Sequence, residues 1–381
     1  MTSLELIRVP LDDAKLVERF IRVPWFIHRE HHPSDNWVPP LIFERKEFLN
    51  PRKNPFFGHA GVALWLAHRD GQDIGRIAAT HDRDWESFHD EKLGYFGMFD
   101  SPNDPAVAHA LLDKATNWLR EMRGLDKVIG PLDLSTNYVS GLLIDGFDSD
   151  PNMEMAYNPP YYAELLESYG LSKTKDLWQW YLASDTPIPE KVERIADKIR
   201  QRSRIQVREI NLKDWDNEIS RVLEVYNDAW EKNWGFVPVA EAEFRHIAEG
   251  LRLVVHPEMA YIAEVDGEAV AFSVAIMNLN PIIKTLDGKL FPFGVLKLLW
   301  KLKVRKEVED CRLTILGIKS GYRRRGIDSI LFVETQRACK RLGWKGGEIG
   351  WTLEDNHMVN RAIESMNGQK VKTYRVYGMD L

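Results

Sequence analysis

Residues 323–326 read Arg-Arg-Arg-Gly, between an apolar run (Leu313, Ile315, Leu316, Ile318) and a helical stripe (Ile330, Leu331, Val333, Ala338, Leu342). The first pattern predicts a buried strand, the second a helix of about four turns. A basic, glycine-containing loop at a helix N-terminus is an anion trap. The first-turn N–H groups have no helical partners, the dipole end is positive, and the glycine lets the backbone approach a ligand. Three guanidinium groups beside it suit a ligand carrying several phosphates. Asp328 brings a carboxylate to the same turn, where helix capping is a common job for Asp. An ordinary surface turn can also carry this pattern, so the loop needs support from the rest of the chain.

The elements that must hold the loop can be followed in order. Residues 4–9 predict a strand and 12–32 helical structure, after which proline-rich loops (Pro33, Pro39, Pro40, Pro51, Pro55) lead to Gly61. Strands at 62–68 and 74–80 flank Asp70-Gly71, a strong hairpin signal. A strand at 94–99, an amphipathic helix at 105–123 and a strand at 127–130 follow. The glycine- and proline-punctuated stretch 131–158 reads as a long functional loop or small subdomain. A helix at 159–169 and a strand at 176–182 close the first half. Ser, Asp, Thr and two prolines cluster at 183–189 and mark a boundary, and a helix at 190–202 bridges into the second half.

There the order repeats: a strand at 205–210, helices at 214–233 and 240–251, and strands at 261–265 and 269–277 around Asp266-Gly267. After an insertion at 280–310 come the 313–318 strand with its helix, a strand at 347–353, a helix at 357–366 and a strand at 373–379. The two Asp-Gly turns lie 196 residues apart, and Glu-Leu-Leu-Glu-Ser-Tyr-Gly (164–170) and Ala-Ile-Glu-Ser-Met-Asn-Gly (362–368) end corresponding helices. This is the mark of an internal duplication. It predicts domains at 1–183 and 205–381 joined by a linker helix at 184–204. At the place of the arginine loop the first copy has Asp100-Ser101-Pro102-Asn103-Asp104, which repels phosphate. The second copy is expected to keep the anion site, and the first to serve substrate binding or scaffolding.

Bulk properties narrow the classes. The 381 residues are 44% hydrophobic and 28% charged, which is globular and excludes extensive disorder. A net charge of -6 argues against nucleic acid as a partner. Cys311 and Cys339 are too few for a disulfide framework and fit a reducing cytoplasm. No apolar run reaches the roughly 18 residues of a membrane span. Residues 1–10 mix charge with apolar side chains, so no leader is expected. Thirteen tryptophans suggest broad aromatic cores or a large apolar pocket. His28, His31 and His32 around Glu30 have near-helical metal spacing, but they read as a polar helix end, and no metal is expected. There is no Gly-x-Ser-x-Gly elbow, Walker loop or dinucleotide fingerprint.

The loop resembles the acyl-CoA diphosphate loop of the GNAT acyltransferase superfamily, in which Arg or Gln, two residues, Gly, one residue, and Gly or Ala follow in turn. Arg323 and Gly326 match, while Asp328 stands where a small residue is usual. The element order of both halves is also that of the GNAT fold. The expected fold class is therefore α/β (an α+β mixed sheet) in tandem GNAT-like domains. The resemblance implies that the 313–318 and 347–353 strands part to admit a pantetheine arm, with Ile318 offering it backbone hydrogen bonds. It places Arg323, Arg324, Arg325, Gly326, Ile327 and Asp328 around the diphosphate and Asn356 against the arm. Asn356 could equally cap the helix that follows. Amine acylation needs a base, and a proton donor for the leaving thiolate. Glu354 is the preferred base, with Glu348 on the same strand in reserve. The helix tyrosine of many GNAT members is missing from Ser365-Met366-Asn367-Gly368. Tyr374 and Tyr377 on the last strand are the candidate donors, though strand tyrosines are commonly packing residues.

Within the 280–310 insertion, Lys297, Lys301 and Arg305 recur every four residues among apolar neighbours. From Lys284 to Arg305 six basic residues face one acid, Asp287. Such a segment is either a membrane-interface helix or a core helix with snorkelling lysines. Six blocks resemble the bacterial ceramide-synthase-like family: Gly130-Pro131, Gly141-Leu-Leu-Ile-Asp-Gly-Phe147, Tyr157-Asn-Pro-Pro-Tyr-Tyr162, the arginine loop, Trp351-Thr-Leu-Glu-Asp-Asn356 and Lys372-Thr-Tyr-Arg-Val-Tyr377. The resemblance implies an acyl-CoA-dependent N-acyltransferase that joins an acyl chain to the amine of a sphingoid base, without a metal. It implies a cytoplasmic protein at the inner face of the cytoplasmic membrane, with Tyr157, Asn158, Tyr161, Tyr162 and Trp351 near the lipid amine. Two other functions share these residues: acetylation of a small soluble amine, and a non-catalytic acyl-CoA-binding module.

Overall fold

The structure, a computed structural model, describes residues 3–202, 204–231 and 233–381. The first half runs β1 (Glu5–Val9), α1 (Ala14–Trp25), α2 (Ile42–Phe48), β2 (Ala60–Arg69), β3 (Gln72–Asp82), α3 (Arg83–His89), β4 (Leu93–Asp100), α4 (Pro105–Arg123), β5 (Lys127–Gly130), β6 (Leu142–Asp145), α5 (Tyr162–Tyr169) and β7 (Ser172–Ala183). The second half continues with α6 (Glu190–Arg202), β8 (Ile205–Glu209), α7 (Trp215–Trp230), α8 (Glu241–Leu251), β9 (Val255–Val265), β10 (Glu268–Met277), α9 (Asn280–Lys284) and α10 (Gly294–Lys303). It ends with β11 (Asp310–Ile318), α11 (Ile327–Arg341), β12 (Gly346–Leu353), α12 (His357–Ser365) and β13 (Gln369–Asp380). No helix among the described residues is long and apolar enough to cross a membrane.

Local chemistry accounts for many of these boundaries. Asp104 accepts from the Ala106 amide at 3.0 Å, Pro105 opens α4, and Gly124 at φ +67° ends it. Both hairpins turn on Asp-Gly with positive φ at each residue, +55° and +79° at 70–71 and +51° and +85° at 266–267. That is the type I′ geometry whose twist matches its flanking strands. The recurrence of one turn at corresponding points agrees with the duplication.

The chain forms two compact units. One comprises Met1–Leu177, Asn280–Lys306 and Lys372–Leu381; the other comprises Trp178–Leu279 and Glu307–Val371. The segment 280–306, which lies in the second half of the sequence, thus takes its contacts from the first. In the first unit the sheet order is β1-β2-β3-β4-β5-β13, with β6 also on β13, and β4–β5 is its parallel pair. In the second unit the order β12-β11-β10-β9-β8 contains one parallel pair, β11–β12. The two-residue period of β9 sends Tyr261 and Ala263 toward Ile327 and Leu331 of α11, and Ile262 toward Val222 and Val225 of α7. Helices therefore cover both faces of that sheet, and β11 is held between them.

Candidate functional site

The parallel ladder between β11 and β12 is short. Its rungs are Asp310↔Gly346, Cys311↔Gly347, Arg312↔Glu348 and Leu313↔Ile349, and there it stops, although β11 runs on to Ile318 and β12 to Leu353. On its other side β11 stays paired with β10 as far as Ile318, with a bulge at Thr314, because Val274 pairs with Ile315 and Ala275 with Leu313. A bulge bends the strand that carries it. The buried Arg312 sits at the parting, where its Nε donates to Gly350 O at 3.1 Å and a side chain replaces the next rung. Burial falls at the same place: residues 311–313 are buried and 314–316 only half-buried. The result is a wedge, closed at Leu313 and Ile349, whose β11 edge presents backbone groups to a guest chain. The first unit lacks this opening. There Leu132 N donates to Phe96 O at 2.8 Å beyond the last β4–β5 rung, and a Cβ on Gly97 would stand 1.8 Å from Leu132 O.

The wedge opens onto the arginine loop, which α7 holds. Lys319 Nζ donates to Glu224 at 2.6 Å and Glu268 at 2.7 Å, Ser320 donates through N and Oγ to Asp228, and Arg323 Nη2 donates to Ala229 O. Arg324 then turns to φ +59° and Gly326 to φ +78°. A Cβ on Gly326 would lie 2.5 Å from Ile199 Cδ1 of α6, which would have to shift, and the left-handed φ disfavours any side chain here. Gly326 is also the N-cap of α11 and brings no capping side chain, so the first-turn amides are not covered by one. Asp328 is the second residue of the helix and not its cap, the first difference from the capping role suggested by sequence. Arg324 and Arg325 are exposed; among the described residues neither pairs with a carboxylate, and Arg325 lies over the Tyr322 ring at 4.8 Å. Two guanidinium groups without carboxylate partners, beside an uncapped helix N-terminus, are a donor set suited to a diphosphate.

The two candidate bases fall at opposite ends of the wedge. Glu348 lies one residue before the last rung, and its Oε2 accepts from Gln179 Nε2 of β7 at 2.9 Å. Glu354 lies past the end of β12, on the side of the arginine loop. Asp310, two residues before Arg312, was not singled out by sequence. Burial, reinforced by the negative charges of Glu348 and Glu309, pushes its carboxyl up to about 6 against a hydrogen bond from Asn278. The far end of β12 is tied by a buried chain in which Trp180 Nε1 donates to Thr352 Oγ1 at 3.0 Å and Thr352 Oγ1 donates to Asn360 Oδ1 at 2.7 Å. Asn360 Nδ2 completes it by donating to Leu353 O at 3.0 Å. Asn356 is the N-cap of α12, its Oδ1 accepting from Val359 N at 3.4 Å. Trp351 is half-buried on β12, beyond the last rung that β12 shares with β11. Gln179, Thr352 and Asn360 were missed because their partners lie on strands and helices far away or reached only through the fold. Asp310 and Arg312 did carry a signal, the two-residue period that aligns them on one face of β11.

The remaining candidates belong to the first unit. Tyr374 is fully buried on β13 opposite Leu143, and Tyr377, also buried, donates to Glu167 at 3.0 Å; burial and Glu167 push its hydroxyl up to about 12. Asn158 spends its amide on Leu143 N and O at 2.8 and 3.2 Å and on Pro159 O. Tyr162 donates to Asp100 at 3.1 Å, Tyr161 donates to Ser101 O at 2.9 Å, and Tyr157 lies 2.7 Å from Ser34 Oγ. The three histidines do not converge. His28 is buried and stacked 4.7 Å from Trp37, with burial pushing it down to about 3, while His31 Nε2 accepts from Asn103 N at 2.9 Å.

Comparison with known proteins agrees with this architecture. No family model matches the chain. The bacterial ceramide synthase of Caulobacter vibrioides is 37% identical over 381 residues, 99% of this chain and 98% of that protein. Protein YghO of Escherichia coli K12 is 37% identical over 352 residues, 91% of this chain and 89% of its own length. Among solved structures, a tandem GNAT protein from the clavulanic acid biosynthesis pathway superposes with a TM-score of 0.62 at 10% identity, covering 99% of this chain and 98% of that one. This last likeness concerns the fold, which is tandem GNAT. The chain belongs to the bacterial ceramide synthase family of GNAT-fold acyltransferases.

Proposed function

We propose that this acyltransferase moves a long-chain acyl group from acyl-CoA to the amine of a sphingoid base, by direct attack on the thioester and without an acyl-enzyme. The reading is carried by one observation: the β11–β12 ladder ends at Leu313 and Ile349, and the opening leads to Arg324, Arg325 and the uncapped first turn of α11. Acyl-CoA, as co-substrate, supplies the activated carbonyl; the C–N bond forms as the C–S bond breaks, and the proton that the attacking nitrogen then loses goes to the departing thiolate, so that CoA leaves as the thiol. The chain's own residues bind and move protons. The two arginines and the α11 amides hold the diphosphate, and the β11 edge from Thr314 to Ile318 hydrogen-bonds the arm. Glu348, in preference to Glu354, takes the ammonium proton, because it lies at the closed end of the wedge where a bound arm must terminate. The relative named a ceramide synthase supports a lipid amine as acceptor.

Thiol release by the purified chain, over a panel of acyl-CoA lengths and amines, tests the proposal. Release that needs both a long-chain acyl-CoA and a sphingoid base is expected. Acyl-CoA binding with no release at any chain length would overturn it in favour of a binding module, and release with small soluble amines alone would overturn the choice of acceptor.

A further inference from the structure

The insertion divides into an anchored part and a bare part, both in the first unit. In the anchored part Ile282, Ile283 and Leu286 are buried, Asn280 donates to Pro151 O at 2.8 Å, and Lys284 holds Asp150 at 2.8 and 2.9 Å. Asp287 accepts from Trp25 Nε1 at 2.9 Å, and Ile42 N donates to Gly288 O at 3.0 Å. Beyond this clamp the burial stops. α10 has no buried residue, although seven of its ten residues are Val, Leu, Trp or Gly and the other three are lysines. Val295, Leu298 and Leu302 turn inward and are half-buried. The opposite side exposes Leu296 at 62%, Trp300 at 48% and Val304 at 68%, beside Phe291 at 58% and Phe293 at 76%. Phe43, also exposed, meets Phe291 edge-on at 5.3 Å and widens the patch. The core-helix alternative for this segment is therefore not what the fold contains.

An amphipathic helix that leaves large aromatic and aliphatic side chains in solvent is missing an apolar partner, and a continuous patch of this kind marks an interaction surface. Its charge says which. Residues 288–306 carry Lys289, Lys297, Lys301, Lys303, Arg305 and Lys306 and no acid, on a chain whose net charge is -6. We infer that α10, with Phe291 and Phe293, is a docking element that inserts its exposed aromatic and aliphatic side chains into an anionic bilayer surface while the basic residues meet the headgroups. A short interfacial helix binds through buried apolar area together with attraction to anionic lipid, so both parts are required. The anchored residues 280–288 hold the helix in place and need no rearrangement for docking.

Flotation of the full chain tests this without acyl-CoA or amine, so its outcome is independent of the acyl-transfer reading. Vesicles of phosphatidylcholine with one-third phosphatidylglycerol are compared with phosphatidylcholine alone. The wild-type chain should float with the anionic vesicles and not with the neutral ones. Leu296→Glu/Trp300→Glu should weaken that binding by about tenfold or more, and Lys303→Glu/Lys306→Glu should do so while reducing its salt dependence. All four positions are exposed, so both variants should melt with the wild type. No flotation of the wild-type chain, or flotation untouched by Leu296→Glu/Trp300→Glu, would overturn the inference. So would a wild-type dimer that this variant converts to monomer, because a second copy would then be what covers the patch.

Discussion

Gln179 Nε2 donates to Glu348 Oε2 across 2.9 Å, fixing a carboxylate beside the point where β11 and β12 part. Glu354 lies at the other end of the opening, with the arginine loop. If Glu348 takes the amine proton, Glu348→Gln should lower kcat by about 10²-fold or more with little change in KM for acyl-CoA. Glu354→Gln should stay within a few-fold. Gln179→Leu, which removes one hydrogen-bond donor to the carboxylate but keeps the carboxylate, should fall between the two. Steady-state kcat and KM of the three variants would decide; a silent Glu348→Gln would end this assignment.

Asp310 supplies a pH dependence whose sign is fixed. Burial beside Glu348 and Glu309 raises its carboxyl from 3.8 to about 6 in the folded chain. Between those values the folded state holds a proton that the unfolded state has released, so the contribution of this group to stability falls as pH rises through this range and is gone above about 6. The ceiling is about 3 kcal/mol. Asp310→Asn keeps a partner for Asn278 and removes the charge. Its urea midpoint should equal that of the wild type near pH 4 and exceed it at pH 7. A variant no more stable at pH 7 would show that water already relieves this carboxylate.

How far the sequence could be read depends on how local each determinant is. The Asp-Gly turns were legible because positive φ at two successive residues is a demand of the turn itself, and α4 because Asp104, Pro105 and Gly124 mark both its ends. The 313–318 strand and the arginine loop were legible for the same reason. The wedge was expected through family resemblance, but its cause was not visible. The bulge at Thr314 arises from pairing with β10, and the missing rung from Arg312 reaching Gly350. Residues 131–158 read as a loop because β6 gains its partner only from β13, some 230 residues later. α2 and α3 were hidden among prolines and by their shortness, at seven residues each. The 280–306 segment shows the limit: its apolar and basic pattern was plain, but which half would anchor it depended on Asp150, Trp25 and Ile42.

The arginine loop predicts opposite outcomes for neighbouring residues. Arg324→Ala and Arg325→Ala each remove a guanidinium that has no internal carboxylate partner, so folding should be untouched while acyl-CoA affinity falls about tenfold per residue, less at high salt. Asp328→Ala should do the reverse. It removes a carboxylate from a turn that favours anions, giving up about 0.3–1 kcal/mol of helix stability while tightening diphosphate binding a few-fold. Calorimetric titration with CoA, paired with melting curves, separates the two. Weaker CoA binding in Asp328→Ala would mean that the carboxylate organises the loop.

The buried chain from Trp180 through Thr352 to Asn360 sets the geometry of the other wall. Asn360 is 4% exposed, and its Nδ2 satisfies Leu353 O, the last carbonyl of β12. Asn360→Ala would leave that carbonyl with Asn356 N as its donor and the Thr352 hydroxyl with only the longer bond to Trp178 O at 3.4 Å, at a cost of about 1–2 kcal/mol. Thr352→Val breaks the same chain from its middle and strands the Trp180 N–H. The links share partners, so the double variant should lose less than the two singles together, by about 1 kcal/mol. Urea denaturation of the four proteins measures this coupling. In the acyl-transfer proposal this wall carries the arm and not the reacting atoms, so KM for acyl-CoA should rise in each single variant more than kcat falls. Additive losses with unchanged kinetics would mean that the end of β12 is held by strand pairing alone and that this hydrogen-bonded chain only fills the space behind it.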